Sequence, residues 1–182
     1  IPWGGQVQDG GAVLGFTFYD LWARLHVMGP DNAWQRLQEI LAWEGDVWEG
    51  GGYREYYKDG VRGTTLQGGG TAGGLGIDFE FFESSLTPSI ITYGFLGLEP
   101  GADVLRIDPK LPAACPEMGV ANLLYNGVRM DILATSAALT IDLKDEPQNS
   151  LWLELPAGWR DEAGEKGNRF NLSAPGVYRF VK

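Results

Sequence analysis

The first half of the chain carries apolar side chains at helical spacing. Between residues 11 and 28 they recur at three- and four-residue steps, at Leu14, Phe18, Leu21, Trp22 and Leu25. Gly29-Pro30 ends this predicted helix, and Asp31 is placed to cap a second one. The second helix repeats the spacing at Trp34, Leu37, Ile40 and Leu41. We therefore expect two antiparallel helices joined by a short turn.

A glycine-rich loop is predicted next, from about Glu44 to Gly76, because this stretch has little apolar periodicity. Loops of this length are usually functional or mobile. A third helix is predicted over roughly 77–96, with a kink at Pro88 and an end at 97–101.

From Asp103 onward the apolar period changes to two residues, which is the spacing of β-strands. Asn126-Gly127 lies between two such runs and predicts a type I′ hairpin turn. The predicted strands are 104–107, 120–125, 128–134, 138–143, 151–155 and 177–181. The expected fold class is α+β, with helices in residues 1–100 and an antiparallel β-sheet or sandwich unit in residues 101–182.

Composition and charge narrow the classes of function. The 182 residues are 44% hydrophobic and carry a formal net charge of −10, which suits a globular protein. An acidic chain without clustered Lys and Arg is not expected to bind nucleic acid. No run of about 18 apolar residues predicts a membrane span. Cys115 and His26 are the only residues of their types, so a catalytic triad would have to use His26. No metal or cofactor is expected.

Glu55 is the leading catalytic candidate. It lies between Tyr53 and Tyr57, next to Arg54, in the glycine-rich loop. Sugar-binding sites combine aromatic faces, which pack on the C–H faces of pyranose rings, with polar groups that bind hydroxyls. A carboxylate in such a place performs the proton transfer of glycoside cleavage. The alternative is a solvated surface glutamate beside Arg54.

Further polar residues are candidates for substrate binding. Trp3, Gln8 and Asp9 precede the first predicted helix, where they are placed to bind hydroxyls, although Asp9 could equally be a helix cap. Gln67 in the glycine-rich loop joins this group. Glycines 68–70 and the neighbouring threonines could cradle a phosphate through backbone N–H groups.

The order of several segments resembles the C-terminal end of the (α/α)6-barrel, or six-hairpin, glycosidases, a superfamily with glucoamylase-like, trehalase-like and rhamnosidase-like hydrolases and related disaccharide phosphorylases. The resemblance covers residues 1 to about 143. It consists of Gln8-Asp9-Gly10-Gly11, the Glu55 loop, Leu75-Gly76-Ile77-Asp78-Phe79-Glu80-Phe81-Phe82, Tyr93-Gly94-Phe95-Leu96-Gly97-Leu98, Leu105-Arg106-Ile107-Asp108-Pro109-Lys110-Leu111-Pro112 and the Asn126-Gly127 hairpin.

The resemblance implies a carbohydrate-active enzyme that inverts the anomeric centre, with Glu55 as the general base. The general acid is then expected on an upstream segment, because a closed barrel has twelve helices and about three are predicted here. The sequence also begins at Ile1 and not at Met. We expect the isolated chain to be inactive and to require the upstream part of the enzyme or a companion chain as partner, with a carbohydrate as substrate.

Two other functions remain open. A disaccharide phosphorylase of the same fold would use phosphate bound near residues 68–70, and the carboxylate of Glu55 counts against it. A non-catalytic carbohydrate-binding or structural β module would use the strand half, with Trp152 and Trp159 either as stacking groups or as packing residues.

Overall fold

The computed structural model describes residues 17–51 and 85–182. The chain divides into two compact units. The first, called here the helical unit, comprises Ile1–Met28 and Asn32–Ile90, and the second, the β unit, comprises Gly29–Asp31 and Ile91–Lys182. The mixed α+β class predicted from the sequence is confirmed for the described residues, whereas the barrel origin of the helices stays a prediction.

Three helices lie within the described residues. Helix α1 spans Thr17–Val27, helix α2 spans Pro30–Glu49 and helix α3 spans Leu86–Ser89. A π-helical segment, Ile90–Phe95, follows α3 directly. None of these helices combines the length and the apolar character that a membrane crossing needs.

Polar pairs show that α1 and α2 run in opposite directions. The carboxylate of Asp20 accepts from Arg24 on its own helix at 2.9 Å and from Arg36 on α2 at 3.2 Å. Arg24 also donates to Asn32 at 3.1 Å. The residue nearer the end of α1 thus meets the residue nearer the start of α2, which is the pairing of an antiparallel hairpin. Gly29, with φ +91°, makes the turn.

The predicted start of the glycine-rich loop at Glu44 is wrong, because α2 continues to Glu49. Gly45 lies inside the helix, and a single glycine there weakens a helix by about 1 kcal/mol without ending it. The helix ends where a run of three glycines, 50–52, begins in the sequence, and Gly51 adopts φ +94°.

The third predicted helix has a different geometry in its described part. Regular α-helix covers only the four residues of α3, with Pro88 inside it, and a wider π-helical turn follows. The amide of Leu96 donates to the oxygen of Ile91 at 2.9 Å, five residues back. Residues 77–84 of this prediction lie outside the described residues.

The helical unit presents apolar side chains on both sides of its hairpin. Leu21, Leu25, Ala33, Leu37 and Ile40 are buried. Six large apolar side chains of the same two helices and their turn are exposed: Tyr19, Trp22, Val27, Met28, Leu41 and Trp48. The two helices therefore carry apolar side chains outside their buried face as well.

Nine strands form two sheets in the β unit. In chain order they are β1 (Leu98–Pro100), β2 (Val104–Ile107), β3 (Glu117–Tyr125), β4 (Val128–Thr135), β5 (Ala138–Leu143), β6 (Leu151–Glu154), β7 (Arg160–Asp161), β8 (Arg169–Leu172) and β9 (Gly176–Val181). The first sheet has the order β1-β2-β6-β8 and the second β3-β4-β5-β9-β7.

Alternate residues of these strands form the core. On β4 and β5 the buried positions are Val128, Met130, Ile132, Ala134, Leu139, Ile141 and Leu143, and their neighbours in the chain face outward. The four-stranded sheet buries Leu105, Ile107, Leu151, Leu153 and Leu172. The rings of Phe170 and Phe180, one from each sheet, lie 4.8 Å apart. The apolar faces of the two sheets therefore pack against each other.

The predicted hairpin at Asn126-Gly127 is confirmed. Asn126 has φ +49° and Gly127 has φ +77°, which is the pair of positive angles that a type I′ turn requires. Tyr125 and Val128 pair directly across the turn. A bulge in β3 between Val120 and Leu123 places Asn122 at φ +55°. The main-chain amide of Asn122 donates to the Asp131 carboxylate at 2.8 Å.

Two features of the β unit differ from the sequence prediction. Strands β2 and β6 are parallel, so the unit is not antiparallel throughout. Strands β1, β7 and β8 were not predicted, and β1 occupies the segment expected only to close a helix. Gly97 allows β1 to approach the chain after β2, because a Cβ atom at this position would lie 2.1 Å from the main-chain oxygen of Asp108.

Acidification is expected to weaken the pair that joins the ends of β4 and β5. Arg129 donates to both carboxylate oxygens of Asp145 at 2.9 Å. These bonds lower the pKa of Asp145 to about 2. An unfolded Asp titrates near 3.9, so the contribution of the pair is complete above about pH 4 and is lost as the pH falls through about 2.

The measurement is the melting temperature of the wild type and of Asp145→Asn between pH 6 and pH 2. The wild type should lose more of its melting temperature below pH 4 than Asp145→Asn does. Glu146→Gln, which removes the next carboxyl and leaves the pair intact, is the control. Parallel curves for the wild type and Asp145→Asn would contradict the assignment.

Candidate functional site

The site residues predicted from the sequence lie outside the described residues. This holds for Glu55, the candidate base, and for the candidate substrate-binding residues Trp3, Gln8, Asp9, Tyr53, Arg54, Tyr57 and Gln67. The phosphate-binding alternative at 68–71 lies outside them as well. The roles of all these residues stay predictions.

The side chains of His26 and Cys115 are each engaged by nearby residues of their own segment. His26 Nδ1 lies 2.8 Å from the main-chain oxygen of Trp22, so this nitrogen carries the proton and donates. The His26 ring also packs on the Trp22 ring, with 4.7 Å between centroids. The Cys115 thiol donates to the main-chain oxygen of Glu117 at 3.4 Å. Both side chains have local structural partners.

The two candidate tryptophans of the strand half have different environments. Trp159 is 1% exposed and belongs to the core. Its Nε1–H has no hydrogen-bond partner among the described residues. Trp152 lies on β6, with Leu151 and Leu153 buried on either side of it, and is itself half-exposed. The packing interpretation therefore holds for Trp159, while Trp152 is available to a ligand.

Trp152 lines a cleft of about 570 Å³ in the β unit. Strands β6 and β8 contribute Trp152, Arg169 and Asn171 to it, and β9 contributes Tyr178 and Arg179. Ligand sites in proteins commonly have volumes of about 300 to 1,000 Å³. The cleft is thus of a size that holds one or two sugar rings or a comparable small molecule.

One wall of the cleft is an arginine that lies on an indole. The guanidinium carbon of Arg169 is 4.8 Å from the centroid of the Trp152 ring. A cation over an aromatic face is attracted to it, and the contact limits the motion of both side chains. The register of β6 and β8 places Asn171 directly opposite Trp152. The indole, guanidinium and side-chain amide therefore lie side by side.

The opposite wall is the tight turn at 161–165. Asp161 holds it together, since its carboxylate accepts from the amide of Glu165 at 2.8 Å and its main-chain oxygen accepts from Gly164 at 3.0 Å. Gly164 takes φ +82° in this turn. The Glu162 carboxylate lies 3.4 Å from a guanidinium nitrogen of Arg179 on β9. These contacts fix the backbone of the wall.

A third contact holds the turn that leads into β9. The hydroxyl of Tyr178 donates to the oxygen of Ala174 at 2.8 Å and accepts from the amide of Ala174 at 3.1 Å. The hydroxyl is thereby engaged with the backbone, and the half-buried ring of Tyr178 remains as a lining surface of the cleft. The cleft thus combines aromatic surface, amide, guanidinium and carboxylate groups.

Sequence reasoning identified Trp152 but missed Arg169, Asn171 and Glu165. These residues lie in a polar stretch without a strand pattern, and only the pairing of β8 with β6 brings them beside the indole. The one signal available in the sequence was the short polar segment that contains Gly164, which predicts a turn.

Replacing each of the two tryptophans by alanine should distinguish the core residue from the cleft residue by its effect on stability. Trp159→Ala should lower the free energy of unfolding of the β unit by about 3 to 5 kcal/mol, as expected for truncating a fully buried large aromatic side chain. Trp152→Ala should cost clearly less, because its indole is only partly buried and one side of it lies against the exposed Arg169. Urea titration with NMR detection of the β5 resonances measures both. Equal losses would place Trp152 in the core.

Comparisons with known proteins give weak structural neighbours. No protein-family profile and no curated protein matches the chain. A solved structure described as "Putative kojibiose phosphorylase from human microbiome" aligns with TM-score 0.39 and 16% identity over 54% of this chain and 12% of its own. An α-L-rhamnosidase from Dictyoglumus thermophilum aligns with TM-score 0.35 and 13% identity over 94% of this chain and 25% of its own. Both neighbours are carbohydrate-active enzymes, and this chain spans only a small part of their lengths.

Proposed function

We propose that this chain is the C-terminal part of an inverting glycoside hydrolase. In this proposal it supplies the last helices of an (α/α)6 barrel and a β unit that follows them. Glu55 acts as the general base, and an upstream segment of the enzyme carries the general acid. Trp3, Gln8, Asp9, Tyr53, Arg54, Tyr57 and Gln67 bind the sugar.

The chemistry requires two carboxyl groups on opposite sides of the scissile bond. One protonates the leaving oxygen, and the other, about 6.5 to 9.5 Å away, removes a proton from the attacking water. A base must be ionised at the working pH, and a neighbouring guanidinium favours the ionised form of a carboxyl. Arg54 stands next to Glu55 in the sequence and is suited to this task.

The observation that carries the proposal in the described residues is the apolar exterior of the helical hairpin. A helix of a complete domain buries one stripe of its surface, but α1 and α2 expose Trp22 at 38%, Leu41 at 46% and Val27 at 83% in addition to their buried residues. Further helices packed against this surface would cover it. The sugar chemistry itself is supported by the aromatic-flanked carboxylate at 53–57.

Charged substitutions on this apolar surface should prevent assembly with the upstream part. Leu41→Glu and Val27→Glu should weaken the association of this chain with the upstream segment at least tenfold, since each would place a carboxylate among apolar side chains. Native mass spectrometry of the mixed segments measures the complex. Glu39→Gln, on the charged side of α2, is the control. Assembly unaffected by either substitution would contradict the proposed packing.

Glu55→Gln should abolish sugar release by the assembled enzyme and leave sugar binding intact. The expected loss is on the order of 10²-fold or more, because a neutral amide cannot take the proton of the attacking water. The assay measures release of reducing sugar from a panel of glycosides, with equilibrium binding measured in parallel. Glu49→Gln, which changes an exposed glutamate at the end of α2, is the matched control.

Activity of Glu55→Gln within about tenfold of the wild type would contradict the assignment of the base. The same assay with and without inorganic phosphate separates the two enzyme classes. A hydrolase releases free sugar without phosphate, whereas a phosphorylase releases a sugar phosphate only in its presence.

A further inference from the structure

We infer that the cleft between Trp152 and the 161–165 turn is a binding site for a neutral saccharide. The inference does not depend on Glu55 or on hydrolysis. It rests on residues of the β unit alone, all of which the structure describes.

The charge of the cleft disfavours an anionic ligand. Three carboxylates, Asp161, Glu162 and Glu165, line it together with two arginines, Arg169 and Arg179. The two arginines leave one net negative charge, so an anionic ligand meets repulsion from the carboxylates. No group of three or more side chains in the described residues is placed to hold a metal ion. The acidic groups are therefore better suited to accept hydrogen bonds from hydroxyls.

The free polar groups match the needs of a polyhydroxyl compound. Within the described part of the chain, the guanidinium of Arg169 has no carboxylate partner, and the side chains of Asn171 and Glu165 have no hydrogen-bond partner. Arg169 donates, Glu165 accepts and Asn171 does both. A sugar hydroxyl is itself donor and acceptor, so one ring can satisfy all three.

The apolar part of the cleft supplies the other half of sugar recognition. Trp152, Phe170 and Tyr178 present half-exposed aromatic surface. A pyranose has one polar edge and an apolar C–H face, and aromatic rings bury that face while polar groups at the rim hold the hydroxyls. A purely apolar ligand would leave the charged rim unpaired, which disfavours it.

The test is binding of neutral oligosaccharides to the whole chain. Hexasaccharides of glucose, galactose, mannose and xylose serve as probes, with oligogalacturonate as the anionic comparison, and NMR titration or calorimetry gives the dissociation constants. At least one neutral probe should bind with a dissociation constant of about 1 mM or tighter. Trp152→Ala should weaken that binding at least tenfold, and Asn171→Ala and Glu165→Gln should each weaken it severalfold.

Two controls place the binding on this cleft. Trp22→Ala removes an exposed indole of the helical unit, and Tyr93→Ala removes an exposed aromatic ring of the π-helical segment; both should leave binding within about twofold. Asn171 and Glu165 are exposed, so their variants keep the test valid even if Trp152→Ala disturbs the fold.

The inference is overturned if no neutral probe binds, if oligogalacturonate binds more tightly than every neutral probe, or if binding is lost in Tyr93→Ala and kept in the cleft variants. Glu55→Gln separates it from the proposed catalytic function. If the chain binds saccharide through the cleft but the assembled enzyme releases no sugar, this inference stands and the proposed hydrolase is refuted.

Discussion

Burial of alternate residues between two sheets is the interaction on which the β unit depends. Met130 and Ile132 on β4, Leu139 and Ile141 on β5, and Leu153 on β6 are almost fully removed from water. Each of these large apolar side chains contributes roughly 1.5 to 3 kcal/mol by leaving water. Because the side chains of a strand alternate between faces, burying one set directs the other set outward. Trp152, Asn171 and Arg169 point away from the core for this reason.

The sequence predicted the central strands well because their alternation is local and regular. The bounds of β2 and β5 agree with the prediction, and β4 differs by one residue. The turn at Asn126-Gly127 was equally predictable, since it depends on two adjacent residues that tolerate positive φ. Strands β7 and β8 were missed because they have two and four residues in polar surroundings, too few for a period to emerge. The parallel pairing of β2 with β6 has no local signal at all.

The two candidate sites differ in the same way, since one is formed by consecutive residues and the other by strand pairing. A carboxylate flanked by tyrosines, as at Glu55, is visible in five consecutive residues and could be proposed from the sequence, but those residues lie outside the described part of the chain. The cleft of the β unit is the reverse case. Trp152 is visible alone, but Arg169 and Asn171 come to it from 17 and 19 positions further along the chain, through the register of one strand pair. A site built from neighbouring residues can be predicted from the sequence, whereas a site that strand pairing assembles from distant residues cannot.

The parallel pair of β2 and β6 also has a consequence for the order in which the β unit is expected to fold. Arg106 and Glu154, which face each other across this pair at 2.9 Å, are 48 positions apart. The whole of β3, β4 and β5 lies between them and closes only short turns, so it forms at a much smaller loss of chain entropy. Early pairing of β2 with β6 would close a large loop with few contacts in return, and such long-range contacts slow folding. We therefore expect the β3–β5 meander to form first and to supply the apolar surface on which the four-stranded sheet, and with it the cleft, is assembled last.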